Sequence, residues 1–196
     1  MKISIAGNGV FGTFLQELLA SEFDVCDNAE SVILAVPLSA YLEVAKNHPK
    51  KHLINVCSVQ KPSTDILLSV SDRVTSIHPL FGKRTPPDKR NAIMTRTCIQ
   101  DNDTWYLDEC ELEFLKGFKK ICNVITGFTP EQHDQMMAKT HLAAVIAAEQ
   151  AKIFIERAKD IPDEFIPHSF RLLRNFVQTL EDMPKGTMES IKANPY

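Results

Sequence analysis

The stretch "GNGVFG" at residues 7–12 decides the fold, because it stands between a short apolar run and a helical pattern. The run "KISIA" at residues 2–6 predicts a β-strand, and residues from about 10 to 21 predict a helix. In such a turn, Gly7 would permit the tight bend, Gly9 the approach of a pyrophosphate, and Gly12 close packing of helix on strand. The stretch therefore predicts a dinucleotide site, with a plain glycine-rich turn as the alternative. The predicted cofactor-binding residues are Gly7, Asn8, Gly9, Val10, Phe11 and Gly12.

Residues 1–127 alternate short β-rich runs with helical periodicity, which is typical of a layered α/β domain. Several of these runs are apolar at consecutive positions, as expected for strands covered on both faces of a parallel sheet. We therefore predict a Rossmann-type, mostly parallel sheet. The further strands are predicted at 31–36, 52–57, 74–78, 91–95 and 123–127, and the further helices near 39–47, 62–69 and 107–120.

From residue 128 to residue 196 the pattern is helical and offers no strand. "TPEQ" at 129–132 combines a capping threonine, a proline suited to the first helical position and a glutamine that completes a capping box. A helix is predicted to begin there and to run to about residue 159, followed by helices near 163–182 and 185–193. The sequence thus predicts a dinucleotide-binding domain at 1–127 and a small helical domain at 128–196.

The region around Asp27 is shorter than the glycine fingerprint requires. An acid roughly twenty residues after the turn commonly holds the adenosine ribose, and Asp27 has that spacing. Only "NAE" separates Asp27 from the next strand, whereas two parallel strands need a crossover of about a dozen residues. Either "DVCD" at 24–27 is a short, irregular or antiparallel segment, or a helix and a strand have been lost.

Composition excludes several classes of function. The formal charge of −3 is made of interspersed acids and bases, so no basic stripe suggests nucleic acid. Five scattered cysteines without a CxxC pair predict neither a disulfide framework nor a metal site. The apolar run "LAAVIAA" at 142–148 is too short to cross a bilayer, and the N-terminus has no signal-peptide core. We expect a soluble cytoplasmic protein without a membrane partner.

"SIHPLFGK" at 76–83 holds the most informative histidine. His78 follows a predicted parallel strand, and ligands of open α/β sheets gather beyond the carboxyl ends of their strands. An imidazole titrates near neutral pH and suits acid or base catalysis. A satisfied core histidine is the alternative, and the residues alone do not decide between the two.

Several patches together resemble the prephenate and arogenate dehydrogenase family. They are "GNGVFG" (7–12), "VILAVP" (32–37), "NVCSVQKP" (55–62), "SIHPLFG" (76–82), "TPEQHDQMMA" (129–138) and "SFRLL" (169–173). The resemblance implies oxidative decarboxylation with NAD or NADP as hydride acceptor. It also implies that His78 is the base, that Ser58 hydrogen-bonds the substrate hydroxyl or orients the imidazole, and that Val36 and Pro37 line the cofactor pocket.

The resemblance further implies that the helical part holds a substrate carrying carboxylates. Arg171 would be the carboxylate clamp, with Arg174 as the fallback, and His133 would belong to the substrate site. The family often has another histidine twelve residues after His133, where this chain has Val145, and here the extra histidine is His141.

The same resemblance implies a homodimer through the C-terminal helices, with a cleft shared between subunits. Two other functions remain open at this point. One is a different nicotinamide-dependent enzyme on the same architecture, such as an imine or hydroxyacid reductase. The other is a cofactor-binding relative without catalytic activity.

Overall fold

The computed structural model describes residues 1–95 and 107–196. The described residues form a seven-stranded sheet with helices on both faces and further helices at the C-terminus, so the predicted Rossmann-like α/β fold is confirmed. The strands are β1 Lys2–Ala6, β2 Asp24–Val25, β3 Ser31–Leu34, β4 His52–Asn55, β5 Val74–Pro79, β6 Asn91–Thr95 and β7 Asn123–Phe128. The helices are α1 Val10–Leu19, α2 Tyr41–Lys46, α3 Gln60–Leu68, α4 Glu109–Phe118, α5 Pro130–Met137, α6 Ala143–Arg157, α7 His168–Glu181 and α8 Lys185–Lys192.

The strand order is β2-β1-β3-β4-β5-β6-β7, and all neighbouring strands are parallel except β5 and β6. Because side chains alternate across a strand, Val32 and Leu34 join one apolar cluster while Ile33 joins the other. The first cluster lies under α2 and α3, and the second lies under α1 and α4. Both faces are therefore covered, as the continuous apolar strands predicted.

The segment around Asp27 is short, parallel and at the edge of the sheet. β2 pairs only with Lys2 and Ile3 of β1, while β3 pairs with the opposite side of β1. The link between β2 and β3 holds only residues 26–30, so no crossover helix fits there. The spacing argument was right that these are not two full parallel strands, and the antiparallel alternative is wrong.

The helical part begins after β7, with a capping box between Thr129 and Gln132 as predicted. The long helix predicted from residue 130 is interrupted by a π-turn, Ala138–Leu142, between α5 and α6. Helices α6 and α7 share a small core made by Ala148, Ala151, Val177 and Leu180. The division of the chain into two domains stays a prediction.

Four cysteines of the described part, at positions 26, 57, 110 and 122, are free thiols, and Cys98 lies outside the described residues. No cluster of potential metal ligands occurs within residues 1–95 and 107–196. Among the helices of these two stretches, none combines the length and apolar character that a bilayer span requires.

Candidate active site

The glycine turn has the geometry that its sequence predicts. Gly7 has φ +124°, and a β-carbon there would lie 2.3 Å from the carbonyl oxygen of Ala35. A β-carbon at Gly12 would lie 2.1 Å from the carbonyl oxygen of Gly7, so α1 packs tightly on the turn. Gly9 differs from both, because no atom lies within 4 Å of its built β-carbon. The turn is closed beneath and open at Gly9, where a ligand can approach the backbone.

The remaining residues of the turn surround the start of α1. Gly9 caps the helix without a side-chain hydrogen bond, and the first turn holds no acidic residue. The orphan N–H groups and the positive end of the helix dipole therefore face the open space without a competing anion. Asn8 and Val10 are exposed, whereas Phe11 is half-buried against Phe14. This arrangement fits a phosphate group.

The predicted pocket residues Val36 and Pro37 follow β3, next to the glycine turn. Their place between β1 and β3 is the point where the strand order reverses, which is where such sheets bind ligands. Helix α8 covers one side of this loop, since a β-carbon at Gly186 would lie 2.8 Å from Pro37 Cγ. Asp27 is exposed, and its strand β2 ends opposite Ile3, well below the rim. Its role as a ribose ligand stays a prediction.

His78 lies in β5, beyond the last residue that β5 pairs with β4, and its side chain is only 3% exposed. Its Nδ1 is 2.9 Å from Nε2 of His133, which α5 contributes. His133 Nδ1 is in turn 2.8 Å from Oδ1 of Asp134, and both residues are fully buried. The structure thus brings together His78 and His133, two residues that the family resemblance placed in the site.

The burial of His78 is also what a structural histidine in the core would show. His52 is such a histidine in this protein and serves as the comparison. His52 is fully buried, with Nδ1 2.9 Å from Ser31 Oγ and Nε2 2.8 Å from Thr75 Oγ1. Both of its ring nitrogens are satisfied. His78 Nε2 has no hydrogen-bond partner within the described residues. Buried polar atoms normally have partners, so this free nitrogen distinguishes His78 from a structural histidine.

Ser58 follows the strand that neighbours β5, and His141 contacts His78. Ser58 follows β4 and precedes α3, is half-buried, and its hydroxyl makes no hydrogen bond to any described residue. His141 lies in the π-turn, with its ring stacked on His78 at a centroid distance of 6.0 Å and an interplanar angle of 17°. π-Turns occur frequently at functional sites. The structure therefore brings His141, whose role the sequence left open, against His78.

Burial and the neighbouring histidines favour the neutral forms of His78 and His141. Burial lowers the pKa of His78 well below its usual value, and the neighbouring His133 and His141 lower it further. Burial also lowers the pKa of His141, with a smaller effect from His133. A neutral imidazole can accept a proton at physiological pH, which is what a general base requires.

The structure does not bring Arg171 to this cluster. Arg171 is exposed on α7, and its Nη2 donates to the backbone oxygen of Asp163 at 2.6 Å. Arg174 lies 3.5 Å from the Asp163 carboxylate and over the ring of Phe170. Within this chain, therefore, neither arginine is placed as a clamp beside His78.

Sequence reasoning missed Asp134. Its carboxylate accepts hydrogen bonds from the backbone N–H groups of Gln60, at 2.7 Å, and Lys61, at 2.8 Å. These groups begin α3, whose N-cap residue is Val59, a side chain that cannot cap. An uncapped helix start in the sequence signals that a distant acceptor must satisfy it. That signal did not identify which residue would do so.

Comparison with known proteins shows the fold but no family. No family model matches the chain. A curated relative, the vacuolar protein sorting-associated protein 54 of Schizosaccharomyces pombe, is 26% identical over 107 residues. That match spans 50% of this chain and only 11% of the relative's length.

The similar solved structures include dehydrogenases. A candidate prephenate dehydrogenase of Corynebacterium glutamicum matches with a TM-score of 0.73 and 16% identity, over 98% of this chain and 74% of that one. Prephenate dehydrogenase of Aquifex aeolicus, in complex with hydroxyphenyl propionate and NAD+, matches with a TM-score of 0.67 and 16% identity, over 98% and 82%. Synechocystis arogenate dehydrogenase matches with a TM-score of 0.63 and 17% identity, over 99% and 84%. At these identities the likeness establishes the fold.

Proposed function

We propose that this protein is an NAD(P)-dependent oxidoreductase that oxidatively decarboxylates prephenate or arogenate. The observation that carries the proposal is His78, a buried neutral imidazole with one nitrogen held by His133 and the other without a hydrogen-bond partner among the described residues. His78 and the glycine turn both lie at the carboxyl end of the parallel strands. The likeness in fold to prephenate and arogenate dehydrogenases supports the same assignment.

The glycine turn and the loop after β3 would hold the cofactor. A pyrophosphate would lie over Gly9 and the start of α1, and the rest of the dinucleotide would extend past Val36 and Pro37 towards β5. Along the sheet, β5 is three strands from β1, a distance of about 14 Å at ~4.8 Å per strand. A bound nicotinamide would accept the hydride from the substrate.

His78 would act on the ring hydroxyl of the substrate. As hydride leaves the carbon bearing that hydroxyl, the hydroxyl proton passes to His78 Nε2 and the carbon becomes a carbonyl. Loss of the ring carboxylate as carbon dioxide then gives the aromatic product. Ser58 follows the neighbouring strand, and its hydroxyl bonds to none of the described residues, so it can hydrogen-bond the substrate oxygen or orient the imidazole.

The substrate carboxylates require cations, and within residues 1–95 and 107–196 neither Arg171 nor Arg174 contacts His78. Arg171 lies on α7, next to the exposed Leu172. Helices α6 and α7 and the segment between them expose several large apolar side chains, which are Ile146, Ile153, Phe154, Phe165, Leu172 and Phe176. Exposed apolar side chains that form a patch mark association sites. We propose a homodimer through these helices, in which Arg171 of one protomer clamps the substrate of its partner.

The proposed activity is tested by mixing the purified protein with prephenate or arogenate and each nicotinamide. We expect reduced cofactor to accumulate, measured by its near-ultraviolet absorbance. Replacing His78 with Asn should lower kcat by about a hundredfold or more, because the general base is lost. His52→Asn is the matched control and should leave kcat of the folded protein unchanged. Absence of turnover, or an unchanged rate for His78→Asn, would contradict the proposal.

The depressed pKa of His78 also predicts the pH dependence. Because His78 stays neutral below its usual pKa of 6.5, the acid limb of kcat/KM should lie below that value. An acid limb of kcat/KM above pH 6.5 that disappears in His78→Asn would show that the pKa of the imidazole is not lowered.

Sedimentation at micromolar concentration tests the homodimer, and a stable monomer would contradict it.

A further inference from the structure

We propose that Asp134 is a positioning residue that sets the tautomer of His78 through His133. The inference rests on the proposed function for its kinetic consequences, but its geometry stands independently. It concerns the chain of contacts Asp134–His133–His78, which runs from the start of α3 through α5 to the end of β5.

The direction of each hydrogen bond follows from what surrounds Asp134. Its two oxygens accept from the backbone N–H groups of Gln60 and Lys61, which can only donate. An ionised carboxylate only accepts, so the contact of Oδ1 with His133 Nδ1 must be an N–H donated by His133. Asp134 is fully buried, and water does not compete for these bonds.

The tautomer of His78 follows from that of His133. A neutral imidazole has one N–H and one acceptor nitrogen. With its proton on Nδ1, His133 presents an acceptor at Nε2, so His78 Nδ1 donates to it across 2.9 Å. The proton of His78 is then on Nδ1, and Nε2 carries the lone pair. This is the nitrogen that has no partner among the described residues, and it is the atom that would take the substrate proton.

Asp134 also has a second task, which the test must separate from the first. By capping α3, it holds the segment that begins two residues after Ser58. A substitution at Asp134 therefore changes both the helix cap and the imidazole chain. Among the described residues the His133 side chain forms hydrogen bonds only within the imidazole chain, so variants at His133 separate the two effects.

The direct test measures the imidazole tautomers by ¹⁵N NMR and needs no activity. In the wild-type protein at neutral pH, we expect His78 and His133 both to carry the proton on Nδ1. In Asp134→Asn, the N–H groups of Gln60, Lys61 and His133 Nδ1 face a side chain that has only one oxygen. The two backbone N–H groups can only donate, whereas His133 Nδ1 can lose its proton and accept. We expect His133 and then His78 to shift to the Nε2–H tautomer. Nε2–H on either histidine of the wild type, or an unchanged His78 tautomer in Asp134→Asn, would overturn the proposal.

The kinetic test asks whether Asp134 acts through His133. Asp134→Asn should lower kcat by about a hundredfold to ten-thousandfold with little change in KM, as expected when a base is held in the wrong tautomer. His133→Phe keeps the cap of α3 and breaks the chain. The double variant should be no slower than His133→Phe alone, because residues that act as one unit are not additive.

Two controls complete the experiment. Glu131→Gln removes an exposed carboxylate from the first turn of the same helix, and its kcat should match the wild type. If the rate losses of the two single variants multiply in the double variant, Asp134 acts through the α3 cap instead. That result would overturn the inference. A wild-type protein with the expected tautomers but no turnover would contradict the proposed function alone.

Discussion

Acid should destabilise this protein through His52, and the size of the effect can be worked out from the structure. Burial lowers the pKa of His52 from 6.5 to about 4. Between these two values the unfolded chain binds a proton that the folded chain does not, so stability falls as the pH falls. The linkage relation gives a loss of about 2 kcal/mol at pH 5 and about 3 kcal/mol at pH 4, relative to neutral pH.

The assay compares the wild type with His52→Gln by urea unfolding across pH 4 to 7.5. Gln keeps a donor and an acceptor for Ser31 and Thr75 but does not titrate. The other histidines contribute equally to both proteins, so the difference in unfolding free energy isolates His52. We expect the advantage of the wild type at neutral pH to shrink by about 3 kcal/mol at pH 4. A difference that stays constant across the range would refute the reasoning.

The remaining predictions concern glycines. Gly12→Ala should destabilise the protein by about 2 kcal/mol, because the added carbon meets the Gly7 carbonyl at 2.1 Å and overpacks the turn. Gly9→Ala should change stability by less than about 1 kcal/mol while weakening nucleotide binding, measured by calorimetry. Gly186→Ala should speed hydrogen exchange in α8, since the new methyl meets Pro37. Unaltered exchange there would show that the helix absorbs the carbon.

The local parts of the fold could be predicted from the sequence, because they depend on short-range rules. The apolar strands, the glycine turn and the Thr129 capping box each follow from residue types within a few positions. The spacing after Asp27 also showed that a full second crossover could not fit. Its outcome, a two-residue parallel edge strand, depends on pairing with β1 that no local pattern specifies.

The non-local parts of the site could not be predicted in the same way. His78 and His133 are 55 residues apart, and the distance of their ring nitrogens depends on how α5 packs against β5. The capping of α3 by Asp134 spans 74 residues. The π-turn that carries His141 is one extra residue in a helical pattern, and helical periodicity is too coarse to reveal it.

The short β2 strand has a consequence for discrimination between cofactors. β2 ends opposite Ile3, three residues before the end of β1, which is about 10 Å below the rim of the crevice. Among the described residues no strand on that side of β1 extends to the rim, so Asp27 would have to reach a ribose hydroxyl, or repel a phosphate on it, from the link that follows β2. Selectivity between the two forms of the dinucleotide is a difference between two affinities. The carboxylate at the end of the second strand usually creates this difference, and here that strand ends well below the rim. We therefore expect the protein to accept both forms of the dinucleotide with similar dissociation constants.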